Sequence, residues 1–88
     1  LPIYRLQYEQ RITEADARLE MAAGNMANAE ENLRMATLGF KEGYLASSNV
    51  LEAQTAWLQA HSEEIDAKID KIMAIVYLRQ ATGQLTMK

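Results

Sequence analysis

Apolar residues recur every seven positions along the first half of the chain. The repeat consists of large side chains interleaved with alanines: Ile12, Leu19, Met26, Leu33 and Phe40, with Ala15, Ala22, Ala29 and Ala36. A seven-residue apolar repeat is typical of a helix that packs lengthwise on another helix in a left-handed coiled coil. Because alanine occupies alternate contacts, the two backbones can approach closely. The pattern predicts one long helix with a large-small contact line, which we call the seam.

The repeat resumes in the second half, after a break at Gly43. One line is made of large residues and the other of alanines: Leu51, Leu58, Ile65 and Ile72, then Ala53, Ala60, Ala67, Ala74 and Ala81. No strand pattern competes with this reading. The expected fold is all-α, a long antiparallel two-helix coiled-coil hairpin that forms a single unit over residues 1–88.

Helix start and stop signals in the sequence predict where the two helices begin and end. We expect helices at about 3–42 and 48–82, with Gly83 as the final stop signal and a turn at about 43–48. Gly43 supplies a positive φ where the first helix ends.

The second helix needs a residue that caps its start. Asn49 with Glu52 three positions later has capping-box spacing, although Ser47 or Ser48 could equally be the cap.

Positions two apart in the repeat lie nearly opposite each other around a helix, so the leucine line and the alanine line mark two contact faces of the second helix. The first helix has a weaker second face: Ala17, Met21, Gly24, Met35 and Leu38. Trp57 lies off both lines and is predicted to contact a neighbouring subunit or to form a partly exposed anchor.

A lone hairpin should be marginal in stability, because backbone ordering costs about 1 kcal/mol or more per residue. We therefore expect neighbours that cover the alanine faces, making the hairpin one wall segment of a larger helical assembly; a four-helix bundle formed by dimerisation uses the same stripes.

Composition excludes several classes of function. The net charge of −3, with nine basic and twelve acidic residues interspersed, leaves no basic stripe for nucleic acid. Cysteine is absent, which excludes disulfides and thiolate metal sites. No apolar run is long enough to span a membrane. The chain opens without Met or a signal peptide, so we expect it to be a fragment of a longer protein.

The chain offers no set of residues that points to chemistry. It has no Ser-His-Asp set, phosphate loop or paired-carboxylate cleft, so we expect no enzyme and no cofactor. The single histidine, His61, and Glu64 lie one turn apart, but a metal site would need partners on other helices, so none is expected. The charged residues Asp66, Lys68, Asp70 and Lys71 are expected to form a solvated face.

An ordered set of residues resembles the carboxy-terminal helical hairpin of the TolC-type outer-membrane efflux protein family. The resemblance covers about residues 4–85. The matching positions are Ala29, Glu30, Asn32, Phe40, Gly43, Val50, Leu51, Glu52, Ala53, Gln54, Ala67, Leu78, Ala81, Thr82 and Gly83.

The resemblance implies a passive transport role. Members of that family are trimers in which an outer-membrane β-barrel continues as an α-helical tunnel through the periplasm of Gram-negative bacteria. This hairpin would be part of the tunnel wall, and its turn would be the periplasmic tip. The tip would dock a periplasmic adaptor protein, which connects the channel to an inner-membrane transporter. The implied docking residues are Gly43, Tyr44, Leu45, Ala46, Ser47 and Ser48.

The resemblance also implies a tunnel mouth near Asn49 and Glu52. A pair of acidic residues narrows the entrance in the family, and Glu52 matches the second of them while Asn49 replaces the first with an amide. Glu52 would then form an acidic ring, or it would only cap the helix.

Two other readings remain open from the residues alone. One is a free-standing helical interaction module. The other is the coiled-coil hairpin of an adaptor protein, although the basic-leucine-serine tip signature of those hairpins is not found around Gly43.

Overall fold

The computed structural model describes residues 2–81 and 83 and consists of two long helices. Helix α1 runs over Pro2–Lys41 and helix α2 over Ser47–Ala81, joined by a turn at 42–46. The two helices pack along their lengths into a ribbon of 63 × 24 × 13 Å. This confirms the all-α helical hairpin. The observed ends of the helices differ from the expected ones by one residue where they can be compared, and Thr82 lies outside the described residues.

The hairpin core is made almost entirely of alanine. Among the described residues, the buried apolar side chains are Met26 and the alanines at 15, 22, 29, 36, 60, 67 and 74. Ile12, Leu19 and Leu33 alternate with these alanines and are half-buried. Since all of these residues are buried or half-buried, the predicted seam of α1 is confirmed over 12–36. The small side chains of the alanines let the two helices lie close together.

Phe40 departs from the predicted seam, since its side chain is 49% exposed. The reason is local: α1 ends one residue later at Lys41, and α2 does not begin until Ser47. The first two turns of α2 lie beside the ring across a shallow depression and leave about half of it exposed.

Helix α2 turns its alanine line toward α1. Ala60, Ala67 and Ala74 are buried, whereas Leu58 is 61% exposed and Ile72 is 59% exposed. The expectation that lateral neighbours would cover the alanine faces is thus wrong for α2. The large residues of the α1 seam occupy the space beside the alanines, so the leucine line of α2 remains on the outside of the hairpin.

Trp57 lies in the contact between the helices and not outside it. Its side chain packs against the buried cluster of Met26, Ala29 and Ala60. Its ring also stacks on His61, with ring centroids 5.1 Å apart and planes inclined by 14°. The expectation of a neighbouring-subunit contact missed this position because the alanine line of α2 was assigned to lateral neighbours and was taken to be alanine alone. That line also carries half-buried larger residues at 50, 57, 64, 71 and 78.

The described part of the hairpin lacks large, fully buried side chains. A core of this kind contributes little burial per ordered residue, because alanine removes little apolar area from water. Over the same residues, neither helix combines the length and hydropathy that a membrane span requires.

Candidate functional site

The turn is held by backbone hydrogen bonds that close the end of α1. Gly43 has a φ of 84°. The Tyr44 N–H donates to the Gly39 carbonyl at 2.8 Å, and the Gly43 N–H donates to the Phe40 carbonyl at 3.1 Å. These two bonds are the pair that defines a Schellman motif, in which a glycine in the left-handed region ends the helix. The predicted role of Gly43 as the helix stop is confirmed.

Leu45 folds back over the last turn of α1. Its N–H donates to the Gly39 carbonyl at 3.1 Å. A Cβ built on Gly39 would lie 2.7 Å from Leu45 Cδ1, so the leucine side chain occupies the space that a side chain at 39 would need. Leu45 remains 41% exposed. One side of the Leu45 side chain therefore packs on Gly39, and the other side is exposed to solvent.

Helix α2 begins with half of a capping box, although not the one expected. Asn49 is the third helical residue, and its Oδ1 accepts a hydrogen bond from the Ala46 N–H at 3.0 Å. Ala46 thus takes the cap position, and Asn49 fills the place that Glu or Gln usually has in this motif. Ser47 and Ser48 are the first two helical residues rather than the cap.

Glu52 does not take part in this cap. Its side chain is exposed and makes no hydrogen bond or ion pair within residues 2–81 and 83. The capping role that the sequence left open for Glu52 is therefore not observed, and its carboxylate is available to solvent near the turn.

All of the predicted tip and tunnel-mouth residues lie together at one end of the ribbon. Every one of them is exposed, and Tyr44, at 82%, is the most exposed large apolar side chain of the described hairpin. A shallow apolar depression lies beside them. It is lined by Phe40, Ser47, Ser48, Val50, Leu51 and Gln54. We call residues 43–49 the tip.

Each helix also carries an exposed apolar line outside its seam. The line on α2 consists of Leu51, Leu58, Ile65, Ile69 and Ile72, and we call it the α2 edge. The line on α1 consists of Ala17, Met21, Gly24, Met35 and Leu38, and we call it the α1 edge. Large exposed apolar patches on a folded chain mark interaction surfaces. Both second faces expected from the sequence are present.

Two ion pairs connect α1 and α2 between the middle of the ribbon and the end opposite the tip. Arg18 Nη1 lies 2.6 Å from Asp70 Oδ2, and Lys71 Nζ lies 2.8 Å from Asp16 Oδ1. Asp66, Lys68 and Asp70 are exposed, as expected for a solvated face, but the pairing of Asp70 and Lys71 with α1 was not predicted. Because the Arg18 and Asp70 side chains are about half exposed, solvent screening limits such a pair to at most about 1 kcal/mol.

One carboxyl group has a shifted pKa. Arg34 donates two hydrogen bonds to Glu31, with lengths of 2.6 and 3.1 Å. These hydrogen bonds, and then the charge of the guanidinium, hold the pKa of the Glu31 carboxyl below its ordinary value. The pair lies within a single turn of α1 and stabilises that turn locally.

No cluster of three or more potential metal ligands occurs among residues 2–81 and 83. His61 is engaged in its stack with Trp57.

No known protein family, curated protein or solved structure matches this chain.

Proposed function

We propose that this chain is a periplasmic wall segment of a TolC-type efflux or secretion channel in the outer membrane of a Gram-negative bacterium. In this role the hairpin is a passive conduit element without chemistry of its own. The observation that carries the proposal is the pair of exposed apolar edges, one on each helix, along a ribbon only two helices wide. A hairpin that works alone in water needs one apolar stripe per helix, whereas a wall segment needs two.

The tip supports the docking part of the proposal. Tyr44 and the depression bordered by Phe40 and Leu51 present apolar surface at the end of the ribbon. Aromatic residues in such positions supply contact area, and the serines beside them supply adaptable hydrogen bonds. A periplasmic adaptor protein would bind here and connect the trimeric channel to an inner-membrane transporter.

Asn49 and Glu52 differ in what their side chains can contribute to a tunnel mouth. The side chain of Asn49 is committed to the Ala46 N–H, so it helps to fix the start of α2. Glu52 has no partner within the described hairpin, which supports an acidic group that faces an aqueous entrance.

The docking role is tested with Tyr44→Asp in the complete channel protein. Leu45→Asp is a weaker choice, because Leu45 also packs on Gly39 and its loss would disturb the turn. We expect Tyr44→Asp to abolish complementation of drug efflux and adaptor cross-linking while helical content is unchanged. Gln59→Asp, at an exposed position away from the tip, is the control and should complement fully. Normal efflux and normal adaptor cross-linking in Tyr44→Asp would overturn the docking role.

Two alternatives are separated by one further variant and by co-purification. A free-standing helical interaction module would bind its partner along an edge, so Leu58→Asp would impair binding and Tyr44→Asp would not. An adaptor hairpin would dock through its tip onto a channel and would co-purify with the outer-membrane protein and not form part of it.

A further inference from the structure

We propose that the groove between the two helices at the middle of the ribbon binds a small organic cation, in which a protonated amine is joined to an apolar body. We call this feature the central groove. The proposal is separate from the channel role, because binding in the central groove needs neither the tip nor a neighbouring hairpin.

Each helix contributes four residues to the central groove. In both helices they have the spacing i, i+3, i+4 and i+7, which places them on one side of the helix. The residues from α1 are Arg18, Met21, Ala22 and Asn25. Those from α2 are Glu63, Asp66, Ala67 and Asp70. The groove has a volume of about 290 Å³, which is near the lower end of the range for small-molecule sites.

The floor of the central groove is apolar. Ala22 and Ala67 are buried, and their short side chains leave the groove deeper than larger residues would. Met21 lies beside them with an exposed side chain. Methionine is flexible and adapts its shape to different apolar groups. An apolar ligand body in the groove would therefore remove from water a side chain that the hairpin itself leaves exposed.

Carboxylates outnumber cations around this floor. Asp70 is paired with Arg18 across the groove, at 2.6 Å. Within residues 2–81 and 83, Glu63 and Asp66 make no ion pair, and Glu63 accepts a long hydrogen bond of 3.4 Å from Gln59 Nε2. Glu63 and Asp66 are three residues apart on α2, so their like charges repel each other. An ammonium group placed between the two carboxylates would relieve this repulsion.

The excess of negative charge is local to the central groove. An adjoining section of the groove lies beyond the pair of Arg18 and Asp70, on the side away from the tip, and has a similar floor of Ala15 and Ala74. The charged residues of that section are two arginines and two carboxylates, so their charges balance. The adjoining section therefore serves as an internal control for the electrostatic part of the proposal.

The combination of floor and charge determines the class of ligand. A metal ion would gain nothing from the apolar floor, and the described residues provide no group of three or more metal ligands. A neutral apolar molecule would leave Glu63 and Asp66 unpaired, and an anion would be repelled by them. An organic cation complements both the floor and the two carboxylates.

Titration with three probes tests the proposal on the unmodified chain, followed by the backbone amide signals in NMR. We expect 2-phenylethylammonium to shift the signals of residues 18–25 and 63–70 more than those of 11–15 and 73–77. Methylammonium carries the charge without the ring, and 2-phenylethanol carries the ring without the charge. Both should bind at least about five-fold more weakly. Equal binding of either probe, or equal shifts in both sections of the groove, would overturn the proposal.

A matched pair of double variants tests the two carboxylates. Glu63→Gln combined with Asp66→Asn should weaken the binding of 2-phenylethylammonium by about five-fold or more. Glu20→Gln combined with Glu30→Gln removes the same charge from exposed positions that do not line the groove, and should bind like the unmodified chain. Circular dichroism should show both variants folded, because all four positions are exposed. Undiminished binding by the first variant would contradict the proposal, as would an equal loss in the second.

Discussion

At the scale of single residues, the glycines at 24, 39 and 43 have different roles. Gly43 adopts a φ of 84° and ends α1. Gly24 is helical and has open space around it, while Gly39 lies beneath Leu45. The role of Gly43 was predictable from its place between two periodic segments. The contact between Gly39 and Leu45 was not, because it depends on how the turn folds back over α1.

Alanine substitutions at two of these glycines should have opposite effects. Gly43→Ala should destabilise the hairpin by about 1 to 2 kcal/mol, because an L residue is disfavoured in the left-handed region. Gly24→Ala should stabilise it by up to about 1 kcal/mol through helix propensity. Urea unfolding followed by circular dichroism, at concentrations where the chain is monomeric, measures both. Equal effects of the two substitutions would show that the Schellman turn is wrongly assigned.

The pair of Glu31 and Arg34 predicts a pH dependence at the level of one side chain. The pKa of Glu31 is lowered in the folded chain, so its contribution to stability is present above the unfolded pKa. That contribution is lost as the pH falls through the folded pKa. Carbon-13 NMR titration of the carboxyl should find a pKa below the usual range of glutamate. Arg34→Gln should return it toward the ordinary value, whereas Lys41→Gln should leave it unchanged.

At the scale of the helices, the seven-residue repeat established that α2 has two apolar lines, but it did not establish which one faces α1. Large residues usually face the core, yet here the alanine line is inward and the leucine line is outward. The sequence does contain the signal that decides it. Val50, Trp57 and Leu78 lie in the same repeat as the alanines and make that line large and small in turn, as in α1.

Substitutions on the two lines of α2 test this orientation. Ala67 is 4% exposed, so Ala67→Leu should overpack the seam and destabilise the hairpin by about 1 to 3 kcal/mol. Ile65 is 43% exposed, and Ile65→Ala should cost less than about 1 kcal/mol in the monomeric chain. Thermal unfolding of both variants provides the measurement. If Ile65→Ala were the damaging change and Ala67→Leu the harmless one, α2 would have to be turned by half a revolution.

At the scale of the whole molecule, the ribbon has much surface and little core. The fold class could be predicted from the seven-residue repeat and the end of α1 from Gly43, because these signals depend only on nearby residues. The ion pairs between Arg18 and Asp70 and between Asp16 and Lys71 could not be foreseen, since they depend on the register of two helices that are far apart in sequence. The same holds for Trp57, whose environment depends on the rotation of α2.

A chain with an alanine core and two exposed edges should become more stable when copies of it associate. Association of the folded form raises the unfolding temperature as concentration increases. The most direct test is the melting temperature of the unmodified chain measured by circular dichroism over a hundred-fold range of concentration. We predict that the melting temperature rises with concentration and that Leu58→Asn suppresses the rise. A melting temperature that stays constant over the whole range would contradict it.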